Sequence, residues 1–272
     1  MSGEPRQTDP PLLSTEALTG GVPGRILLEE ITTQIRRGEC LVLMGPSGAG
    51  KTVLLKHLIG LMRPVSGTVR VDGVDFWSLS PAEQVRTRQR YGFAFQQGAL
   101  FDSLSVFDNV AFPLRRHTQL SEERIAERVR QCLHWVQLRI SGRESISELS
   151  IGMRRRVGFA RAIALEPEIL LFDEPTAGLD PVMVTVMSQL INSLKARLRP
   201  ATVVVTHDLA CARDVADRIA LLVQRRIVAE APRDVFFDLT DPVVRQFVEG
   251  KPFGPLLPPE ELLERPDGEQ RP

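Results

Sequence analysis

The sequence predicts an α/β fold with three parts: a core sheet bearing a phosphate-binding loop, an antiparallel β layer beside it, and a helical insertion. Three observations predict it. Short β-branched or aliphatic runs alternate with longer amphipathic stretches. A glycine-rich segment, Gly45 to Thr52, follows one apolar run and opens a helical one. From about Ser105 to Leu165 the strand signals vanish and apolar residues recur at helical spacing.

Along the chain, prolines and glycines between Pro10 and Gly24 mark residues 1–24 as a loose lead-in with at most one short strand. Residues 25–250 form the main domain. Its core strands are expected at Cys40–Met44, Tyr91–Phe95, Ile169–Phe172, Thr202–Thr206 and Ile219–Val223, and a helix over Val53–Leu61 follows the first. Asp72-Gly73 between Thr68–Val71 and Val74–Phe76 is a hairpin signal and supplies the antiparallel layer. Within the helical subdomain, about 105–165, Ile125, Val129, Leu133 and Val136 fall on one face of a helix spanning Ser121–Val136. Acids alternate with the arginines of its other face, which reads as solvated. Six prolines in the 22 residues from Lys251 to Pro272 indicate an extended tail.

Composition narrows the function. The 272 residues carry 34 Lys+Arg against 34 Asp+Glu, so the formal net charge is zero and a general polyanion binder is excluded, nucleic acid included. No apolar stretch approaches the roughly 18 residues that span a bilayer, and the N-terminus lacks the apolar region of a signal peptide. The expectation is a chain that stays in the cytoplasm unless a partner recruits it. Three widely spaced cysteines, Cys40, Cys132 and Cys211, fit neither a disulfide framework nor a zinc cluster and read as buried thiols.

The chemistry centres on Gly45-Pro46-Ser47-Gly48-Ala49-Gly50-Lys51-Thr52, a full G-x-x-x-x-G-K-[ST] match in strand–loop–helix context. Glycines let the backbone turn its N–H groups inward, and the helix N-terminus adds partial positive charge. Lys51, one of only four lysines, would reach the β- and γ-phosphates, and the Thr52 hydroxyl would ligate Mg²⁺. Val53 completes the nucleotide-contacting segment. The apolar run Ile169–Phe172 ends in Asp173-Glu174, placing two carboxylates at the sheet edge where ligands bind. Asp173 would hold Mg²⁺ through water and Glu174 would polarise the attacking water.

These residues resemble the nucleotide-binding subunit of ABC transporters over roughly residues 25–250, and further motifs fall in that family's order. Gln96 matches the glutamine that senses the γ-phosphate and Mg²⁺ beside the permease contact. Ser147-Glu148-Leu149-Ser150-Ile151-Gly152-Met153 resembles the signature motif, whose Ser150 and Gly152 would face ATP bound by a second subunit. Ala177-Gly178-Leu179-Asp180 matches the D-loop, and His207 the switch histidine. The resemblance implies an ABC ATPase domain, a P-loop NTPase core sheet with an antiparallel β layer and a helical insertion. It also implies ATP and Mg²⁺ as ligands, with Lys51, Gln96, Glu174 and His207 as catalytic residues and Thr52, Gln96 and Asp173 at the metal.

Two positions depart from that pattern. The family stacks an aromatic residue on adenine, but this chain has none before Phe76, and Val22 falls where it is expected. Base stacking is worth about 1–3 kcal/mol, so adenine recognition should weaken unless the Arg25 guanidinium stacks instead. Ile151 replaces the first signature glycine. If that backbone is strained for a β-branched residue, the cost would be about 1–3 kcal/mol and hydrolysis should be slow.

Within the family, Gln97 through Arg115 and Asp241 through Gly250 resemble the ATPases of MCE-type phospholipid transporters. That resemblance implies a homodimer under integral-membrane permeases, on the cytoplasmic face of the bacterial inner membrane, with a lipid-binding MCE protein beyond. A transporter ATPase for another cargo is the second reading, because the nucleotide domain never touches cargo. A non-transport ABC ATPase is the third; a single phosphate loop and the absence of a sustained heptad region weigh against it.

Overall fold

The computed structural model describes residues 10–256 apart from Pro23 and Gln97. Strands β1 (Leu13–Val22) and β2 (Arg25–Ile35) make an antiparallel hairpin running from the pair Leu13–Ile35 to the pair Val22–Arg25. This corrects the expectation of a loose lead-in with at most one short strand: β1 is ten residues long and buries Leu13 and Leu18 completely. The glycines read as loop markers have another cause. A Cβ at Gly20 would lie 2.3 Å from Nε2 of the buried His57, so glycine there lets the strand close onto the helix beneath it. Residues 1–9 lie outside the described residues.

Strand β3 (Cys40–Met44), buried throughout, leads into α1 (Lys51–Leu58). The Asp72-Gly73 turn joins β4 (Ser66–Val71) to β5 (Val74–Asp75) as expected. Helix α2 (Pro81–Gln89) starts at a capping box made by Ser80 and Glu83 and precedes β6 (Tyr91–Ala94). Then come three helices of the insertion, α3 (Val106–His117), α4 (Glu122–Trp135) and α5 (Ile151–Ala162). Ser105, Ser121 and Ser150 cap them, each hydroxyl accepting from the backbone N–H three residues on. Buried Asn109 accepts from Phe101 N–H and donates to the carbonyls of Phe101, Leu104 and Ser105, tying the preceding loop onto α3.

The chain returns through β7 (Ile169–Asp173), α6 (Pro181–Leu198), β8 (Ala201–Val205), α7 (Leu209–Val215), β9 (Arg218–Val223), β10 (Arg226–Pro232), α8 (Arg233–Phe236) and α9 (Pro242–Glu249). The strands make two sheets. One is antiparallel in the order β2-β1-β4-β5; the other runs β10-β9-β3-β8-β7-β6 and is parallel except for the β9–β10 pair. Alternate residues of the parallel strands feed two cores. Val42, Met44, Leu170 and Phe172 pack on the helical side, whereas Leu41, Leu43, Ile169 and Leu171 pack on the side of the antiparallel layer. Each such side chain contributes about 1.5–3 kcal/mol by burial. Because β8 lies between β3 and β7, the C-terminal ends of all three strands meet at one edge, where the site forms.

The three cysteines are free and buried, and burial pushes the Cys40 thiol up to about 12. Among the described residues no helix is long and apolar enough to cross a membrane. Gln246, itself buried, donates to Lys251 O and accepts from Leu256 N–H, which ties residues 251–256 back onto α9. The rest of the proline-rich tail lies outside the described residues.

Candidate nucleotide site

The loop between β3 and α1 wraps as its glycines predict. Gly45 has φ +152° and Gly50 has φ +103°, conformations that side chains other than glycine rarely adopt. Lys51 opens α1, and its Nζ turns back to donate to Gly45 O at 2.8 Å and Pro46 O at 3.0 Å. The ammonium is therefore held over the loop that it is expected to serve. Burial lowers the Lys51 pKa, while the charges of Glu174 and Asp173 oppose that shift.

Strand β7 delivers the two carboxylates. Thr52 Oγ1 donates to Asp173 Oδ1 at 3.1 Å, joining the phosphate loop to the strand end. Burial raises the Asp173 pKa against the hydrogen bond from Thr52, so its charge lacks the solvation that a cation would restore. Glu174 Oε1 lies 3.9 Å from Lys51 Nζ, and Glu174 Oε2 lies 2.8 Å from His207 Nδ1. Glu174 has φ +48°, a left-handed backbone that costs a non-glycine residue about 1–3 kcal/mol. Its N–H donates to Val205 O at 2.8 Å, so the end of β8 fixes it, and His207 follows from that same strand. Lys51, Thr52, Asp173, Glu174 and His207 are thus one contiguous group.

Mg²⁺ fits this chemistry. It takes oxygen ligands, usually one or two carboxylates together with substrate phosphates, and Thr52 and Asp173 present oxygens side by side at the loop.

The remaining sequence-predicted residues form a second group. Gln96 is exposed and lines a cleft of about 650 Å³ together with Asp102, Ile151, Arg155, Ala177 and Gly178. Ser150 caps α5, Asp180 caps α6, and Met183 links the two ends: its N–H donates to Asp180, while its Cε lies 3.0 Å from where a Cβ on Gly152 would sit. The anticipated strain at Ile151 is absent. Ile151 is the first residue of α5, has no left-handed φ, and is 62% exposed. What distinguishes Ile151 is its exposed bulk. Val22 is half-exposed at the tip of the β1–β2 hairpin, with Arg25 exposed across from it.

Sequence reasoning missed Arg155. It stands in the run Arg154-Arg155-Arg156, where neither charge nor periodicity singles it out, yet it is buried and bonds the backbone just past Glu174.

A glycine loop between a buried parallel strand and a helix, facing strand-end carboxylates, defines a P-loop nucleotide hydrolase. The chain belongs to the ABC transporter family, whose model matches residues 28–177. It is 41% identical over 256 residues to the probable ribonucleotide transport ATP-binding protein mkl of Mycobacterium leprae, covering 94% of this chain and 74% of that one. The intermembrane phospholipid transport system ATP-binding protein MlaF of Haemophilus influenzae is 39% identical over 245 residues, covering 90% and 93%. Among solved structures, the dimeric post-hydrolysis state of the ATP-binding cassette MJ0796 bound to ADP and Pi superposes with a TM-score of 0.74. Its identity is 31%, covering 81% of this chain and 98% of the cassette. The chain is an ABC ATPase subunit with the fold expected from its sequence.

Proposed function

We propose that this ATPase energises a lipid transporter, moving phospholipid between bacterial inner and outer membranes, and that it works as a homodimer with two ATP molecules at the interface. The contact series joining Thr52 to Asp173 and Lys51 through Glu174 to His207 carries the hydrolytic part of this reading. In it, the segment from Gly45 to Val53 cradles the phosphates and Lys51 neutralises their charge. Glu174 orients water and takes its proton, and His207, held by Glu174, faces the γ-phosphate. Thr52 and Asp173, with Gln96 reaching in from the second group, would hold Mg²⁺, which would neutralise phosphate charge when bound. Ser150, Gly152 and Asp180 stand apart from this group and serve the nucleotide bound by the second copy.

The lipid reading rests on the likeness to MlaF and on the surface around Gln96. There Phe95, Phe101 and Phe112 are each more than 40% exposed and line an apolar groove with Pro113 and Leu165. In this reading a short apolar segment of an integral-membrane permease covers that groove and holds the chain at the cytoplasmic face of the inner membrane. An MCE protein would complete the system on the other side.

A Glu174→Gln variant should accumulate ATP-bound dimers, seen by size-exclusion chromatography with light scattering, and lose turnover. Wild-type turnover in that variant would reject Glu174 as the base. Reconstitution with the permease in vesicles tests the cargo. ATP-dependent movement of a fluorescent phospholipid supports the lipid reading, and movement of a ribonucleotide instead would replace it.

A further inference from the structure

Helix α5 carries four arginines whose guanidinium groups bind backbone carbonyls of the surrounding loops, Arg156 donating to Gln137 O at 3.3 Å, away from Glu174. Arg154 donates to Leu149 O at 3.0 Å and Ser147 O at 3.2 Å, closing the turn before its own helix. Arg161 donates to Gly98 O at 2.7 Å and Ala99 O at 2.8 Å, just past Gln96. Arg155 donates through Nη1 to Pro175 O at 3.0 Å and through Nη2 to Ala177 O. Its case differs from the others in cost. The residue is only 8% exposed, its Nε is buried with no partner, and no carboxylate pairs with it among the described residues. Its only contacts are carbonyls, and the nearby charge of Glu174 favours the cation without offsetting its desolvation, a cost that an apolar side chain of similar length would not carry. Fold stability alone gives little reason for a guanidinium here.

The two carbonyls indicate what it does. They flank Thr176 in the turn that starts at Glu174, whose φ of +48° is strained. Such a backbone persists only where its surroundings over-determine it. From one side Val205 O accepts the Glu174 N–H; from the other, Arg155 fixes the next turn at two points. Between these anchors the Glu174 carboxylate meets His207 at 2.8 Å and Lys51 at 3.9 Å.

We propose that Arg155 is a positioning residue for ATP hydrolysis: from the signature helix it clamps the turn after Glu174 and so holds that carboxylate in its working geometry. The inference rests on Glu174 being the base. It also means that a shift of α5 against a nucleotide on the partner copy is transmitted to the hydrolytic carboxylate of its own site, through two hydrogen bonds and one turn.

The test is steady-state ATPase kinetics on the full chain, alongside melting and nucleotide titration with a fluorescent ATP analogue. The variants are Arg155→Met, Arg155→Lys, Glu174→Gln and, as a neighbouring control, Arg156→Met. A misplacement of about 1 Å costs on the order of 100-fold in rate. Arg155→Met should therefore lower kcat about 10- to 100-fold while KM and analogue affinity stay within about two-fold, because the phosphate loop is untouched. Arg155→Lys should recover part of the rate, since an ammonium reaches one carbonyl but does not span both, and Arg156→Met should stay near wild type. If kcat of Arg155→Met is unchanged, or falls only in proportion to the folded, nucleotide-binding fraction, the proposal is overturned. If Arg155→Met does not fold, Arg155→Lys decides: reduced kcat at constant KM supports the clamp, and wild-type kcat overturns it. A fully active Glu174→Gln would remove the underlying reading instead, so the two failures are distinct.

Discussion

Two alanine substitutions in the phosphate loop separate steric closure from backbone conformation. At Gly45 a Cβ would stand 2.2 Å from Leu222 O, a backbone atom of β9, which pairs directly with β3 through Met44 and Leu221. Both strands are buried, so neither retreats cheaply. Overpacking costs about 1–3 kcal/mol and the φ of +152° adds about 1–3 kcal/mol for a non-glycine residue. Gly45→Ala should thus destabilise by about 4 kcal/mol. Gly48 also has a left-handed φ, +79°, but a Cβ there meets nothing within 4 Å. Alanine in that region costs about 1–2 kcal/mol, and the stiffer unfolded chain returns about 0.4–1 kcal/mol, leaving roughly 1 kcal/mol. At about 2–4 °C per kcal/mol for a domain of this size, the melting temperature should fall by about 8–16 °C for Gly45→Ala and by less than about 5 °C for Gly48→Ala. Differential scanning fluorimetry reads both, and an ATP titration should show the larger loss of affinity in Gly45→Ala. Equal shifts, or a larger one at Gly48, would refute the reasoning from the Leu222 carbonyl.

Two further predictions concern residues whose surroundings differ from the sequence expectation or add to it. Ile151→Gly removes an exposed β-branched side chain from the first turn of α5 and should raise ATPase turnover, at a stability cost of about 0.5–1 kcal/mol; unchanged kcat would sink the steric reading. Asp173→Asn should abolish hydrolysis yet leave the melting temperature at pH 7 equal or higher. Burial raises the Asp173 pKa, so the folded state binds its proton more readily than the unfolded chain does. The penalty of its charge is therefore present above the unfolded carboxylate pKa and relieved as pH falls, and the variant's advantage should shrink towards pH 4 in a pH series of melts. A clear drop at pH 7 would show that the hydrogen bond from Thr52 and the charge of Lys51 outweigh desolvation.

What the sequence made legible follows from what periodicity and motif spacing encode. The bounds of β3, the strand–loop–helix order and the helix capped by Ser121 were all readable, because a run buried on both faces, a glycine spacing and an amphipathic stripe each leave a local trace. The acids ending β7 were readable for the same reason. Strand β1 was not, since Gly20 signals a turn in sequence but answers a close approach by His57, which is 37 positions along the chain. Strands β2 and β10 carry acids and arginines that mask their alternation. The ion pairs of Arg225, in the turn before β10, with Glu29 and of Arg226 with Glu30 join the two sheets and exist only after folding. Arg155 was hidden more deeply: three adjacent arginines are identical as sequence, and only the packing of α5 against the turn after Glu174 distinguishes the buried one.

The two groups of site residues bear on the proposed need for a second copy. Lys51, Thr52, Asp173, Glu174 and His207 touch one another, whereas Ser150 and Asp180 spend their side chains capping two helices whose first turns project Ile151, 62% exposed, and Val182, 72% exposed. Large apolar side chains beside capped, donor-rich helix ends are poorly served by water and well suited to being covered. In the proposed dimer one such face closes over the phosphate loop of the other copy, so the apolar contact and the anion contact form together. Arg155 joins the helix that makes this contact to the turn that carries Glu174. Closure at one nucleotide and alignment of the base at the other are then parts of one rigid connection, and a monomer, lacking the closing face, should bind ATP without hydrolysing it efficiently.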